Sequence, residues 1–185
     1  MKKLSIICMT LLAISFLASC RCPQGPQGPQ GPAGNDGNAN VASSTLTIHD
    51  YDWEWNRFYT DAEGNERGQY VVTIDYPAIN NNVYNYGAVL VYMDVMGTWS
   101  QVPLTYYYHD VIDGQDCLFE ASIEVATLSD GGVNLFWTES DMWDVRPETH
   151  EFKIVAIEAS VYKDRSDVDY SNYEAVKTAF QLADR

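Results

Sequence analysis

Chemistry in this chain could reside in its aromatic rings, its carboxylates, its histidines or its thiols, and spacing separates these possibilities. Trp53, Trp55, Trp99, Trp137 and Trp143, with the run Tyr106-Tyr107-Tyr108, offer flat faces on which the C–H faces of pyranose rings can stack. Neighbouring Asp and Asn side chains could then take the sugar hydroxyls. Trp53 and Trp55 alternate with Asp52 and Glu54 and share a face with Tyr51, which assigns them to core packing. Trp143 sits in the polar stretch Ser140-Asp141-Met142-Trp143-Asp144. Together with Tyr106 and Tyr108 it forms the candidate ligand-binding set. Facing carboxylates could hydrolyse a glycoside, but Asp and Glu number 26 here, so any two of them carry little weight. His49, His109 and His150 are isolated, and no motif places Ser or Cys beside a base. No catalytic residue is assigned, and the chain reads as a non-enzyme. Asp110, Asp113 and Asp116 cluster around Gly114, and Asp164, Asp167 and Asp169 form a second group. Oxygen clusters suit Ca²⁺, yet neither has the EF-hand spacing with its terminal Glu. Both read as solvated turns, and no metal or other cofactor is expected.

The thiols sort differently. Lys2 and Lys3 precede an apolar run from Leu4 to Leu17, which ends in small residues. This is the layout of a secretory signal, and the run is shorter than the roughly 20 residues a spanning helix needs. Its ending, Leu17-Ala18-Ser19-Cys20, resembles the lipobox of bacterial lipoproteins. The resemblance implies that the Cys20 thiol receives diacylglycerol, that the signal of residues 1–19 is cut before it, and that the new amino terminus is acylated. Several acyl chains give stable anchoring where one does not. Arg21 stands where inner-membrane retention in some Gram-negative bacteria uses Asp, so the outer membrane is the expected address, facing either the periplasm or the cell surface. Of the other cysteines, Cys8 leaves with the signal, and Cys22 and Cys117 remain. Cys117 reads as a small buried apolar residue, and no metal-type Cys spacing exists.

Residues 20–44 form anchor, stalk and linker. Glycine recurs at Gly25, Gly28, Gly31, Gly34 and Gly37, with Pro26-Gln27, Pro29-Gln30 and Pro32-Ala33 between. The pattern is that of collagen, but few triplets give few interchain hydrogen bonds to set against the cost of ordering three chains. A disordered, polyproline II-like spacer on a monomer is expected, rising about 3.1 Å per residue, and a trimer is the alternative. The formal charge is −15, and −17 once Lys2 and Lys3 leave with the signal. Such a surface repels phosphate backbones, which argues against nucleic-acid partners.

The elements that must position the candidate residues lie in 45–185. Tyr70, Val72, Ile74 and Tyr76 form one stripe at period two, and Cys117, Phe119, Ala121, Ile123 and Val125 form another. This is the pattern of antiparallel strands wet on one face. Residues Ala88 to Val95 and Phe152 to Val161 are largely apolar on both faces, as central strands are. Pro103 pushes the run Trp99 to Tyr107 toward an edge. Turn chemistry at Asp61 to Asn65, Asn80 to Asn82, Asp113-Gly114 and Asp130 to Gly132 separates the runs. About eight strands at this spacing suggest an all-β, antiparallel sandwich of the Ig-like, Greek-key type. Ser171-Asn172-Tyr173-Glu174 has the form of a capping box with Ser171 as N-cap, so one C-terminal helix should follow.

Both the front, Cys20 to Gly37, and the tail, Phe152 to Ile157 and Asn172 to Lys177, are similar to the ends of many lipoproteins of gut anaerobes. The resemblance implies location and architecture and carries no catalytic residues. The expected function is a non-enzymatic envelope lipoprotein that presents its sandwich for binding or envelope interaction, with a glycan or a protein as ligand. The alternatives are a carbohydrate-binding module with an aromatic platform, and a trimeric structural or adhesive protein.

Overall fold

The computed structural model describes residues 40–112, 114–140, 142 and 144–183. Cys20, the stalk, Asp113 and Trp143 therefore lie outside the described residues. Among these, two antiparallel sheets pack face to face. The four-stranded sheet has β1 (Val41–Ile48), β4 (Ala88–Val95), β5 (Thr98–Val102) and β9 (His150–Ile157), in the order β1-β9-β4-β5. The five-stranded sheet has β2 (Glu54–Thr60), β3 (Glu66–Asp75), β6 (Leu104–Ile112), β7 (Gln115–Leu128) and β8 (Gly132–Glu139), in the order β2-β3-β8-β7-β6. Strand β3 lies beside the far end of the β6-β7-β8 meander, which is Greek-key order. The architecture is the expected all-β sandwich, with nine strands. Val41 to Ser44, read as linker, are already part of β1.

The stripes fall where alternation put them. Tyr70 and Val72 of β3, Ala121 and Ile123 of β7, and Leu135 and Trp137 of β8 are buried against Val91 and Met93 of β4 and Phe152 and Ile154 of β9. Strands β4 and β9 are apolar on both faces because the four-stranded sheet has a third layer outside it. There α3 (Tyr173–Phe180) lays Tyr173, Val176 and Phe180 over Leu90, Tyr92, Val155 and Ile157. Two further short helices, α1 (Asn81–Tyr86) and α2 (Ala159–Asp164), interrupt the strand pattern.

Four local expectations change. The Asn80-Asn81-Asn82 cluster starts α1 instead of making a bare turn, because the Asn80 side chain accepts from the Asn82 and Val83 amides. The same side-chain geometry moves the N-cap of α3 to Asn172, whose side chain accepts from the Glu174 and Ala175 amides, while Ser171 donates to Asp169. The run Trp99 to Tyr107 is two edge strands rather than one, since the chain crosses from sheet to sheet at Pro103. Finally, a short 3-10 turn, Asp50–Asp52, breaks the alternation ahead of Trp53, so Trp53 is buried and Tyr51 is exposed.

The register fixes the two ends of the sandwich. At one end lie Asn40, α1 and the 129–131 turn, because Val41 pairs with Ile157 and Asp75 with Gly132. At the other, the tip end, lie the turns 61–65 and 96–97, Gly114, and residues 140, 142 and 144–149, because Ile48 pairs with His150 and Ala121 with Glu139.

Candidate functional site

Two hairpins overrun the sandwich at the tip end. In the first, β2 and the start of β3 close on Asp61, whose side chain accepts from the Glu63 and Asn65 amides and from the Arg67 guanidinium at 2.6 Å. Burial would raise the Asp61 carboxyl, but hydrogen bonds from Asn65 and Arg67 and the Arg67 charge hold it below its ordinary range. In the second, β6 pairs with β7 from Leu104↔Ile123 out to Ile112↔Gln115, whereas β8 leaves β7 at Ala121.

Between the hairpins, the inner face of the five-stranded sheet carries a chain of aromatic contacts. Trp55 lies 5.1 Å from Tyr70, Tyr106 meets Trp137 edge-on at 5.8 Å, and Tyr106 and Tyr108 are 6.0 Å apart. Tyr108 in turn stacks on Phe119, and His150 of β9 stacks on Trp137 at 5.0 Å, tying the two sheets together. Glu139 is 4% exposed and accepts from the Trp137 indole at 2.8 Å. Burial raises the Tyr106 hydroxyl far above its ordinary value, and the carboxylates of Glu139 and Glu148 add to the shift. The connection after β8 closes over this face: the Tyr70 hydroxyl donates to Asp144, Arg146 lies over the Tyr70 ring and donates to the Asp50 carbonyl, and Pro147 is buried. Burial, followed by the Asp144 contact, pushes Tyr70 up to about 12.

Of the residues chosen from sequence, Tyr106 and Tyr108 come together here, half-buried and packed on the core. Tyr107 points to the opposite face and is 61% exposed, so the three tyrosines do not make one platform. Trp143 lies outside the described residues. Tyr70, Glu139 and His150 join the site through strand register, and Asp144 and Arg146 through their contacts with Tyr70, which no motif in the sequence announces. All three histidines reach this end: His49 stacks on Tyr51, and His109 pairs with Asp116 at 3.1 Å. So do most of the exposed large apolar side chains, among them Phe58, Tyr59, Met96, Tyr107 and Leu118.

The arrangement suits binding by stacking and burial. Glu139, nearly sealed and bonded to an indole, positions that indole. Among the described residues no group of three or more His, Cys, Asp or Glu could hold a metal ion. Asp167 pairs with Arg165, and Asp169 is held by Ser171. No helix of the described residues is long and apolar enough to cross a membrane. Comparison with protein-family profiles, with curated proteins and with solved structures finds no match to this chain.

Proposed function

We propose that this is a non-catalytic binding protein of the outer membrane, anchored by an acylated Cys20 and presenting the tip end of its sandwich to a ligand. One observation carries the reading: β1 begins at Val41, at the end opposite the overrunning hairpins and their exposed Phe58, Tyr59, Tyr107 and Leu118. A tether that enters at one end leaves the other facing outward. Exposed apolar side chains on each hairpin, at opposite edges of the five-stranded sheet, mark candidate interaction surfaces. The acidic charge argues against phosphate backbones as the ligand.

Two experiments test this. Cys20→Ala should release the protein from membranes and abolish acyl labelling, and retention in the membrane fraction would remove the anchor from the proposal. Pulldown from envelope extracts by the full chain should be lost on Tyr59→Ala with Tyr107→Ala and kept on Tyr84→Ala, a change at the opposite end. The half-buried Tyr106–Tyr108 pair favours a second reading, a glycan ligand. A glycan array separates the two, since only the second expects signal that Tyr106→Ala removes.

A further inference from the structure

Strand β8 ends at Glu139, and its neighbour β7 does not end with it. Residues Gln115 to Glu120 of β7 run on, paired to β6 alone. The last bond on the β8 side is Ser140 N–H to the Glu120 carbonyl, 3.0 Å. In an antiparallel strand both polar groups of a residue point the same way, and that way alternates along the chain. Leu118 and Asp116 therefore aim N–H and C=O in the direction of Glu120, to the side that β8 has vacated. The chain leaving β8 turns instead toward β3, where the Met142 carbonyl accepts from Gly68 N–H at 2.9 Å. Among the described residues, no strand pairs with β7 on this side from Gln115 to Phe119.

Side chains say what could fill it. Asp116, Leu118 and Glu120 face outward with Tyr107 and His109, and Cys117 and Phe119 face inward with Tyr108. Leu118 is 61% exposed. Natural proteins guard such edges with charged side chains, Lys above all, or with Pro, and from Leu104 to Glu120 this hairpin has no Lys or Pro. It has Asp110, Asp113, Asp116 and Glu120, and no Lys or Arg occurs anywhere between Arg67 and Arg146. A second copy of the hairpin would set these carboxylates against their own kind, which destabilises strand pairs. A cationic strand would not.

We propose that the β7 edge at Asp116 and Leu118 accepts, by strand addition, an extended segment of a partner protein in which Lys or Arg alternates with aliphatic residues. The cationic residues of the guest pack outward beside Asp116 and Glu120. The aliphatic ones pack inward beside Cys117 and Phe119. Main-chain bonds supply affinity and alternate side chains supply specificity, as in other strand-addition sites. The inference rests on the proposed function only in taking the tip end as the ligand-facing end.

The probe is a synthetic peptide alternating lysine and valine, titrated into the full chain in mild detergent while amide hydrogen exchange is followed. Binding should slow exchange at Asp116 and Leu118 and weaken with added salt. Asp116→Lys should weaken it about tenfold. Leu118→Pro, which removes one edge donor and leaves the β6 ladder its bonds, should do the same, with circular dichroism confirming the fold. Equal binding of a peptide N-methylated at alternate residues overturns strand addition, and equal binding of a glutamate-valine peptide overturns the charge rule. Absent binding, or self-association through this edge, overturns both. Protection confined to other tip residues also sinks strand addition while sparing the tip reading, and the Cys20 experiment fails or succeeds independently of all of these.

Discussion

At the scale of single residues, Lys153 holds a charge in the middle of β9, where it is 4% exposed. Its ammonium lies 4.3 Å from the Trp99 ring centre and 4.2 Å from that of Tyr173, and donates to the Tyr173 hydroxyl at 3.0 Å. Burying a charge costs several kcal/mol, and a desolvated cation–aromatic contact returns about 2 kcal/mol. Two ring contacts and a hydrogen bond from the charged group together exceed that cost. Lys153→Met should lower stability by about 2 kcal/mol in denaturant unfolding and shift Trp99 fluorescence. Unchanged or greater stability would show that the charge costs as much as its cage returns. In the sequence Lys153 is only a charge inside an apolar run; its partners come from β5 and α3, and nothing local names them. His150 gives a pH prediction. Burial pushes its imidazole below the ordinary 6.5, with Glu148 opposing. A depressed folded value means that the unfolded chain takes the proton first, so the contribution is intact above 6.5 and is lost as pH falls through the folded value. Thermal stability should fall on acidification below 6.5, and His150→Phe should flatten that part of the profile. An identical slope in the variant would remove His150 as the cause.

At the scale of elements, caps and strand ends decide what sequence reading can reach. The α3 start offers Ser171 and Asn172 side by side, both good capping residues. Only coordinates choose, because the choice depends on Asp169 competing for Ser171. Asn172→Ala should cost about 1 kcal/mol and Ser171→Ala close to nothing, measured by denaturant unfolding. The reverse order would return the cap to Ser171. The stripes of β3 and β7 were legible because a half-buried strand writes its period into the chain. Helices α1 and α2, each of six residues, are too short to write theirs. Pro103 correctly marked an edge, but of two sheets at once: one residue carries the crossing, and alternation continues through it. The candidate site divides the same way. Tyr106 and Tyr108 share a face by parity alone, whereas Glu139 and His150 enter through the β7–β8 and β1–β9 registers, which no single segment encodes.

At the scale of the whole molecule, the sandwich is polar in the sense of having unlike ends, and the proposal about its setting turns on that. Strands of eight residues span roughly 27 Å, so a probe at the Asn40 end and one at the tip stand at distinct heights if the chain is tethered through Cys20. Tyr86, in α1, is exposed at the first end, and Met96, in the β4–β5 turn, is 99% exposed at the second. In a background with Cys22 and Cys117 replaced by Ser, fluorophores attached at Tyr86→Cys or Met96→Cys can be compared on the acylated protein in vesicles that carry a quencher on the lipid headgroups. The spacer expected from the Gly-Pro-Gln repeat adds about 3.1 Å per residue and damps both signals without exchanging them. The Tyr86 probe should be quenched more than the Met96 probe. Equal quenching would mean that the stalk lets the domain tumble, and the hairpins would lose their outward bias. Stronger quenching at Met96 would turn the tip toward the lipid and recast its exposed aromatics as a membrane-facing surface.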